Sequence, residues 1–121
     1  MSPVWTYTGC DIEPGDNVDL VLRDGLHLDT DGHGWDVLIS GQCLEHVERP
    51  WELLPGVVKA LRPGAWAFIT APWRWRVHRY PLDCWRILPD GMRVLLADAG
   101  LTVVETYIRD NDCWGIGRLP E

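Results

Sequence analysis

The chain has 121 residues, 46% hydrophobic and 24% charged, which fits one globular domain (1–121) that buries roughly 65% of its unfolded surface on folding. Its formal net charge of -7 disfavours a protein whose task is to lie along nucleic acid or an anionic membrane, since both repel it at long range. No apolar run approaches the ~20 residues of a membrane span, and Met1, Ser2 and Pro3 do not open a signal peptide, so the expected location is cytoplasmic, with no membrane partner.

In chain order, residues 5–10 alternate large and small side chains, with Trp5, Tyr7 and Thr8 favouring a strand. The run ends at Asp11, before the turn signal Glu13, Pro14, Gly15. An acid at such a strand tip accepts hydrogen bonds from ribose hydroxyls in doubly wound sheets, although a strand-end Asp also starts turns. Residues 19–22 form a second short strand, followed by Asp24 and Gly25, in themselves an ordinary turn pair. The polar stretch 27–34 reads as a loop. Its Gly32, His33 and Gly34 precede a strand rather than join a strand to a helix, so they are no phosphate-binding fingerprint.

Val37, Leu38 and Ile39 are a continuous apolar run, the mark of a parallel strand covered on both faces, and Ser40, Gly41 and Gln42 end it. Trp51, Leu54, Val58 and Leu61 then recur at helical spacing, closed by Arg62, Pro63 and Gly64. Pro55 interrupts that pattern, and an interior proline costs about 3 kcal/mol, so the expected helix starts late and spans 55–62, with 50–54 a separate turn. Trp66, Phe68 and Ile69 make the second strand. A right-handed crossover of this kind brings both strand C-termini to one edge, where open parallel sheets bind ligands, and Leu44, Glu45 and His46 sit there. Glu45 and His46 carry groups suited to acid and base work, and equally suited to capping and dipole roles at a helix start. Cys43 and His46 supply half a metal site without a second ligand pair, so no metal is expected. Cys10, Cys43, Cys84 and Cys113 form no close pair and read as reduced, mostly buried thiols.

The segment 73–80 is basic and aromatic, with Trp73, Arg74, Trp75, Arg76, His78, Arg79 and Tyr80 between Pro72 and Pro81. Such a mixture stacks bases and neutralises phosphates, or covers an apolar edge while its arginines stay solvated. Residues 88–100 are the clearest helix, with Pro89 first, Asp90 in the first turn, Gly100 after the end, and Met92, Leu95, Leu96 and Ala99 on one face. A strand over 101–108 follows, and 113–116 adds a last short one, with Gly115 and Gly117 loosening a tail.

Leu44, Glu45, His46, Val47 followed by Leu61, Arg62, Pro63, Gly64, set between two apolar strands, resembles the type 11 branch of the class I S-adenosylmethionine-dependent methyltransferases. The resemblance runs from about Tyr7 to Ile108. It implies an α/β fold with a doubly wound, Rossmann-like, mostly parallel sheet and flanking helices. It implies S-adenosylmethionine as cofactor, with Asp11 on the ribose, Asp24 and Gly25 beside the adenine, and Ser40 and Gln42 at the cofactor edge. Glu45 and His46 become the candidate catalytic pair. The pattern His78, Pro81, Asp83, Trp85, Arg86 recurs in that branch and marks a lid over a small-molecule acceptor, formed by Trp75, His78, Tyr80, Asp83 and Arg86.

The chain departs from the family at its front, where the first strand and its Gly-rich cofactor loop have no counterpart. In that sense the expected sheet is truncated. The strand ending at Asp11 and the strand at Val37 then pair directly, or are bridged by a second copy or another chain, and a homodimer is expected. Three function classes follow: a methyltransferase, a non-catalytic module that kept the fold, and a nucleic-acid binder using residues 73–80, which the acidity makes unlikely.

Overall fold

The computed structural model describes residues 4–29 and 34–121; the opening tripeptide and the middle of the expected 27–34 loop lie outside the described residues. In chain order the elements are β1 (Cys10–Asp11), β2 (Leu20–Val21), β3 (Trp35–Gly41), a 3-10 turn (Leu44–His46), α1 (Pro50–Val58), β4 (Leu61–Pro72), α2 (Pro89–Asp98), β5 (Thr102–Arg109) and β6 (Asp112–Arg118). Among the described residues no helix is long and apolar enough to cross a membrane.

Alternation in β4 decides the layers, because successive side chains of a strand point to opposite faces. Ala65, Ala67, Ile69 and Ala71 are at most 2% exposed, and they share one core with Leu53, Leu54 and Val58 of α1 and Met92 and Leu96 of α2. The two α-helices also touch each other, so both lie on one face of the sheet. Gly115 makes this approach possible in β6, since a Cβ there would lie 2.6 Å from Met92 Cγ. At Gly56 of α1 a Cβ would lie 2.0 Å from the Leu26 carbonyl oxygen, so the helix meets the segment after β2 backbone against backbone.

The main sheet has the order β3-β4-β6-β5. The expected α/β crossover is there, as β3 and β4 pair in parallel around α1, but the sheet is mixed rather than mostly parallel: β6 is antiparallel to both β4 and β5. The cause is local. Asp110 at φ 56 opens a two-residue turn that folds β6 back along β5 as a hairpin, and β6 slots between β4 and β5. Winding is also one-sided among the described residues, with both α-helices on the same face.

Several sequence expectations shift for physical reasons. The helix α1 begins at Pro50, whose missing donor costs nothing at the first position, and Pro55 sits inside it. The bond Pro55 gives up belongs to the Trp51 carbonyl on the exposed side, while Leu53, Leu54, Val57 and Val58 are buried. Leu61 to Gly64 do not stop the helix but open β4. The register jumps there, Trp35 facing Leu61 and Val37 facing Trp66, and Gly64 takes φ 84 within the bulge. Residues 113–116 are the middle of a seven-residue interior strand, not a loose tail. Only Cys113 of the four free cysteines is buried, because it alone sits on the helix-covered face of an interior strand.

At the front, pairing is confined to Cys10–Asp11 with Leu20–Val21, in parallel. Residues 5–9 form no strand, and Trp5 and Tyr7 are each 77% exposed. No ladder joins β1 to β3 among the described residues. A cavity of about 510 Å³ separates them instead, lined by Tyr7, Gly9, Cys10, Trp35, Val37 and Ile39 among others.

Candidate functional site

The chain leaves β3 at Gly41 and turns at Gln42, which holds φ 56. Its backbone N–H donates to the Thr70 carbonyl at 3.0 Å, and its side-chain amide donates to Asp112 Oδ1 at 2.9 Å. These bonds tie the ends of β3 and β4 to the start of β6. The 3-10 turn that follows buries Leu44 and Glu45, and the segment after β4 folds back over it. The Glu45 carbonyl accepts from the Cys84 and Trp85 backbone N–H groups at 2.7 and 3.2 Å, and Trp85 Nε1 donates to the Val47 carbonyl at 2.9 Å. The expected lid is thus pinned to the turn it covers.

Its internal clamp is Asp83 with Arg86. The guanidinium donates to both carboxylate oxygens at 2.7 and 2.9 Å, and also to the Arg76 carbonyl at 2.9 Å. The His78 N–H adds a bond to Asp83 Oδ2 at 2.7 Å. Asp83 is covered by these neighbours, 2% exposed, although the loop itself lies at the surface. Arg86 first, then the His78 N–H, hold its carboxyl far below the usual carboxylate range. Of the five lid residues, Asp83, Arg86 and His78 are built into this clamp, while Trp75 and Tyr80 stay exposed at 50% and 77%.

Glu45, His46 and His78 converge beneath the segment. His46 Nε2 lies 3.6 Å from Glu45 Oε2, and the two imidazole rings meet edge to face at 4.8 Å. Burial raises the Glu45 carboxyl above its ordinary value.

The expected cofactor residues end the neighbouring strands. Asp11 closes β1 and its carboxylate accepts from the Ile12 N–H at 2.6 Å. Asp24 and Gly25 form the turn after β2, at φ 50 and 71, with Gly25 beside Ile12. Asp24 is engaged by His27 Nδ1 at 2.9 Å. Cys43 is exposed as a residue, but desolvation around its sulfur raises the thiol above its ordinary value, helped by the charges of Glu45 and Asp11 and opposed by a hydrogen bond from Ser40. Ser40, Cys43 and Glu45 thus follow one another where β3 ends, as Asp11 ends β1. None of the five expected cofactor residues lines the apolar cavity between β1 and β3. Sequence reasoning missed Leu82 and Asp112 and had Trp85 only within the lid pattern, without its bond to the Val47 carbonyl; all three act across thirty or more residues, a range that no local pattern announces.

No protein-family model matches this sequence, and no curated protein matches it. Solved structures match by fold. A chain of the complex between the Haloferax volcanii Trm112 methyltransferase activator and a candidate methyltransferase superposes with TM-score 0.66 at 17% identity, over 90% of this chain and 64% of that one. The cyclase SpnF does so with TM-score 0.63 at 13% identity, over 77% of this chain and 52% of that one. The Burkholderia thailandensis 1,6-didemethyltoxoflavin-N1-methyltransferase, solved with 1,6-didemethyltoxoflavin and S-adenosylhomocysteine, gives TM-score 0.60 at 18% identity, over 77% and 48%. The chain thus spans less than two thirds of the length of each of these structures. At such identities the likeness is one of fold, and the fold is the methyltransferase-like α/β one.

Proposed function

We propose that this protein is an S-adenosylmethionine-dependent methyltransferase of the type 11 branch, acting on a small-molecule acceptor. The observation that carries the reading is the set of strand ends: Asp11 closes β1, Ser40 lies at the end of β3 with Gln42 just past it, and the segment 73–87 is pinned through the Cys84 and Trp85 N–H groups to Glu45 in the turn that follows. In this reading Asp11 accepts from the ribose hydroxyls, and Asp24 accepts from the adenine amino group while Gly25 leaves room beside it. Ser40 and Gln42 position the cofactor at the end of β3. Trp75 and Tyr80 supply aromatic surface to the acceptor, and the Asp83–Arg86 clamp fixes the loop that presents them. Glu45 and His46 serve acid and base steps at the acceptor. Juxtaposing the methyl donor and the acceptor nucleophile in line supplies most of the rate.

The same reading includes a homodimer. Among the described residues no ladder covers the facing edges of β1 and β3, and the sheet face away from the helices carries Trp66, Phe68 and Trp114 without full cover. A two-fold interface covers such a surface with one patch, and a stable one buries on the order of 1,200 Å² or more.

Calorimetry tests the cofactor. S-adenosylmethionine should bind the wild-type chain, and Asp11→Ala should weaken it by about 1.5–3 kcal/mol, the scale of charge-assisted hydrogen bonds. Absence of heat at millimolar cofactor would favour a non-catalytic module on the same fold. One observation favours a second reading: Arg74, Arg76 and Arg79 are exposed, and the Arg76 guanidinium lies 5.9 Å over the Trp75 ring. Single-stranded nucleic acid held with a steep salt dependence would support it.

A further inference from the structure

Glu45 and His46 beneath the segment 73–87, and His78 within it, bring atoms able to ligate a metal within 4.8 Å of one another. His46 Nδ1 lies 2.6 Å from the Leu82 carbonyl oxygen, which only accepts, so this nitrogen carries the ring proton and Nε2 of the neutral ring carries a lone pair. At 3.6 Å from Glu45 Oε2, that lone pair faces a carboxylate beyond hydrogen-bond range. His78 is oriented in the same way: Nδ1 sits between two acceptors, the Arg76 carbonyl at 3.3 Å and Asp83 Oδ2 at 3.5 Å, which leaves Nε2 as the free ligand atom. Glu45 is 0% exposed, and neither of its oxygens has a hydrogen-bond partner. A buried carboxylate without donors is costly, and the His46 lone pair facing it makes the arrangement worse unless a cation joins them.

We propose that Glu45, His46 and His78 bind one divalent transition-metal ion of the zinc class. Their ligand atoms all lie within 4.8 Å of one another. A tetrahedral site with bonds of about 2.1 Å sets its ligands roughly 3.4 Å apart, so the loop carrying His78 closes by on the order of 1 Å on binding. Two imidazoles and one carboxylate suit zinc and its neighbours, whereas magnesium and calcium call for more oxygens. The second ring nitrogen of each histidine is held by a carbonyl or carboxylate, the outer contact that orients metal-bound imidazoles. Three protein ligands leave the fourth position open to water or to a bound acceptor. The partner that His46 lacks in the local sequence is thus His78, delivered by the folded loop rather than by Cys43. With the ion bound, Glu45 and His46 are its ligands and the acid and base roles proposed above fall away; the site stands on its own geometry, whether or not the edge binds S-adenosylmethionine.

Zinc titration, followed by calorimetry and thermal unfolding, tests the site. The chain with Cys10→Ser, Cys43→Ser and Cys84→Ser removes the exposed thiols as competing ligands. That chain should bind one equivalent and gain thermal stability, as a ligand of the folded state does. Glu45→Gln and His78→Ala, each in the same background, should weaken zinc by at least about tenfold. Replacing His27, outside the cluster, should leave zinc binding unchanged. His78→Ala keeps its fold in the absence of zinc, because the backbone bonds of the loop remain, and circular dichroism verifies this. Failure of the thiol-free chain to bind zinc, or undiminished one-equivalent binding in both variants, would overturn the proposal.

Discussion

The two faces of the four-stranded sheet come from the same strands and are filled in opposite ways. Toward the helices, β4 offers Ala65, Ala67, Ile69 and Ala71, and β6 offers Cys113, Gly115 and Gly117, all buried. Away from the helices stand Trp66, Phe68, Trp114, Ile116 and Tyr107, none of them buried. Small residues win the core because α2 must come close, and a large side chain at Gly115 would hold it off. Large residues on the other face stack on one another: Tyr107 on Trp114 at 6.2 Å and 4°, Trp66 on Phe68 at 6.3 Å and 18°, with Arg118 5.3 Å over Trp66. In this chain residue size follows how near the next layer comes, and the aromatic face is what a second copy would cover.

The sharpest way to break that comparison is to enlarge the helix-covered face. Gly115→Ala places a methyl 2.6 Å from Met92 Cγ and 3.1 Å from Leu96 Cδ1. It should destabilise the chain by about 1–3 kcal/mol in denaturant unfolding, the range for overpacked cores. A neutral result would mean that α2 rests on the sheet more loosely than these distances say. Trp66→Ala acts on the open face and should cost the monomer less, within the roughly 0.5–1.5 kcal/mol of a lost aromatic pair. Its larger effect should be on self-association, seen by sedimentation at micromolar concentration as a shift from dimer to monomer. If wild type sediments as a monomer, the homodimer part of the proposed function fails.

What was legible in the sequence follows the range of the forces involved. The helix α2 announced itself because Pro89 at its first position and Gly100 just past its end are local signals, and Met92 and Leu96 are fully buried as expected. The crossover from β3 through α1 to β4 was legible for the same reason. The start of α1 was not, since the local penalty of Pro55 was outweighed by burial of Leu53, Leu54, Val57 and Val58. β6 was expected only as a short last strand over 113–116, because its glycines read as flexibility, whereas Gly115 and Gly117 are buried close contacts with Met92 and Leu101 in a longer interior strand. At the candidate site, Asp11, Glu45 and His46 were found from strand ends. The meeting of His78 with Glu45 and His46 depends on how the segment 73–87 folds back, which only the Glu45 carbonyl and the Asp83–Arg86 clamp determine.

As proposed above, the edge where β1, β2 and β3 end is the cofactor site, and the apolar cavity beside it is not. Amide chemical-shift mapping of the wild-type chain during titration with S-adenosylmethionine tests it most directly. The account predicts that the largest saturable shifts fall on Asp11, Ile12, Asp24, Gly25, Ser40 and Gln42, while Tyr7, Trp35 and Val37 around the cavity move little. Shifts concentrated on the cavity residues, or none at saturating cofactor, would contradict it.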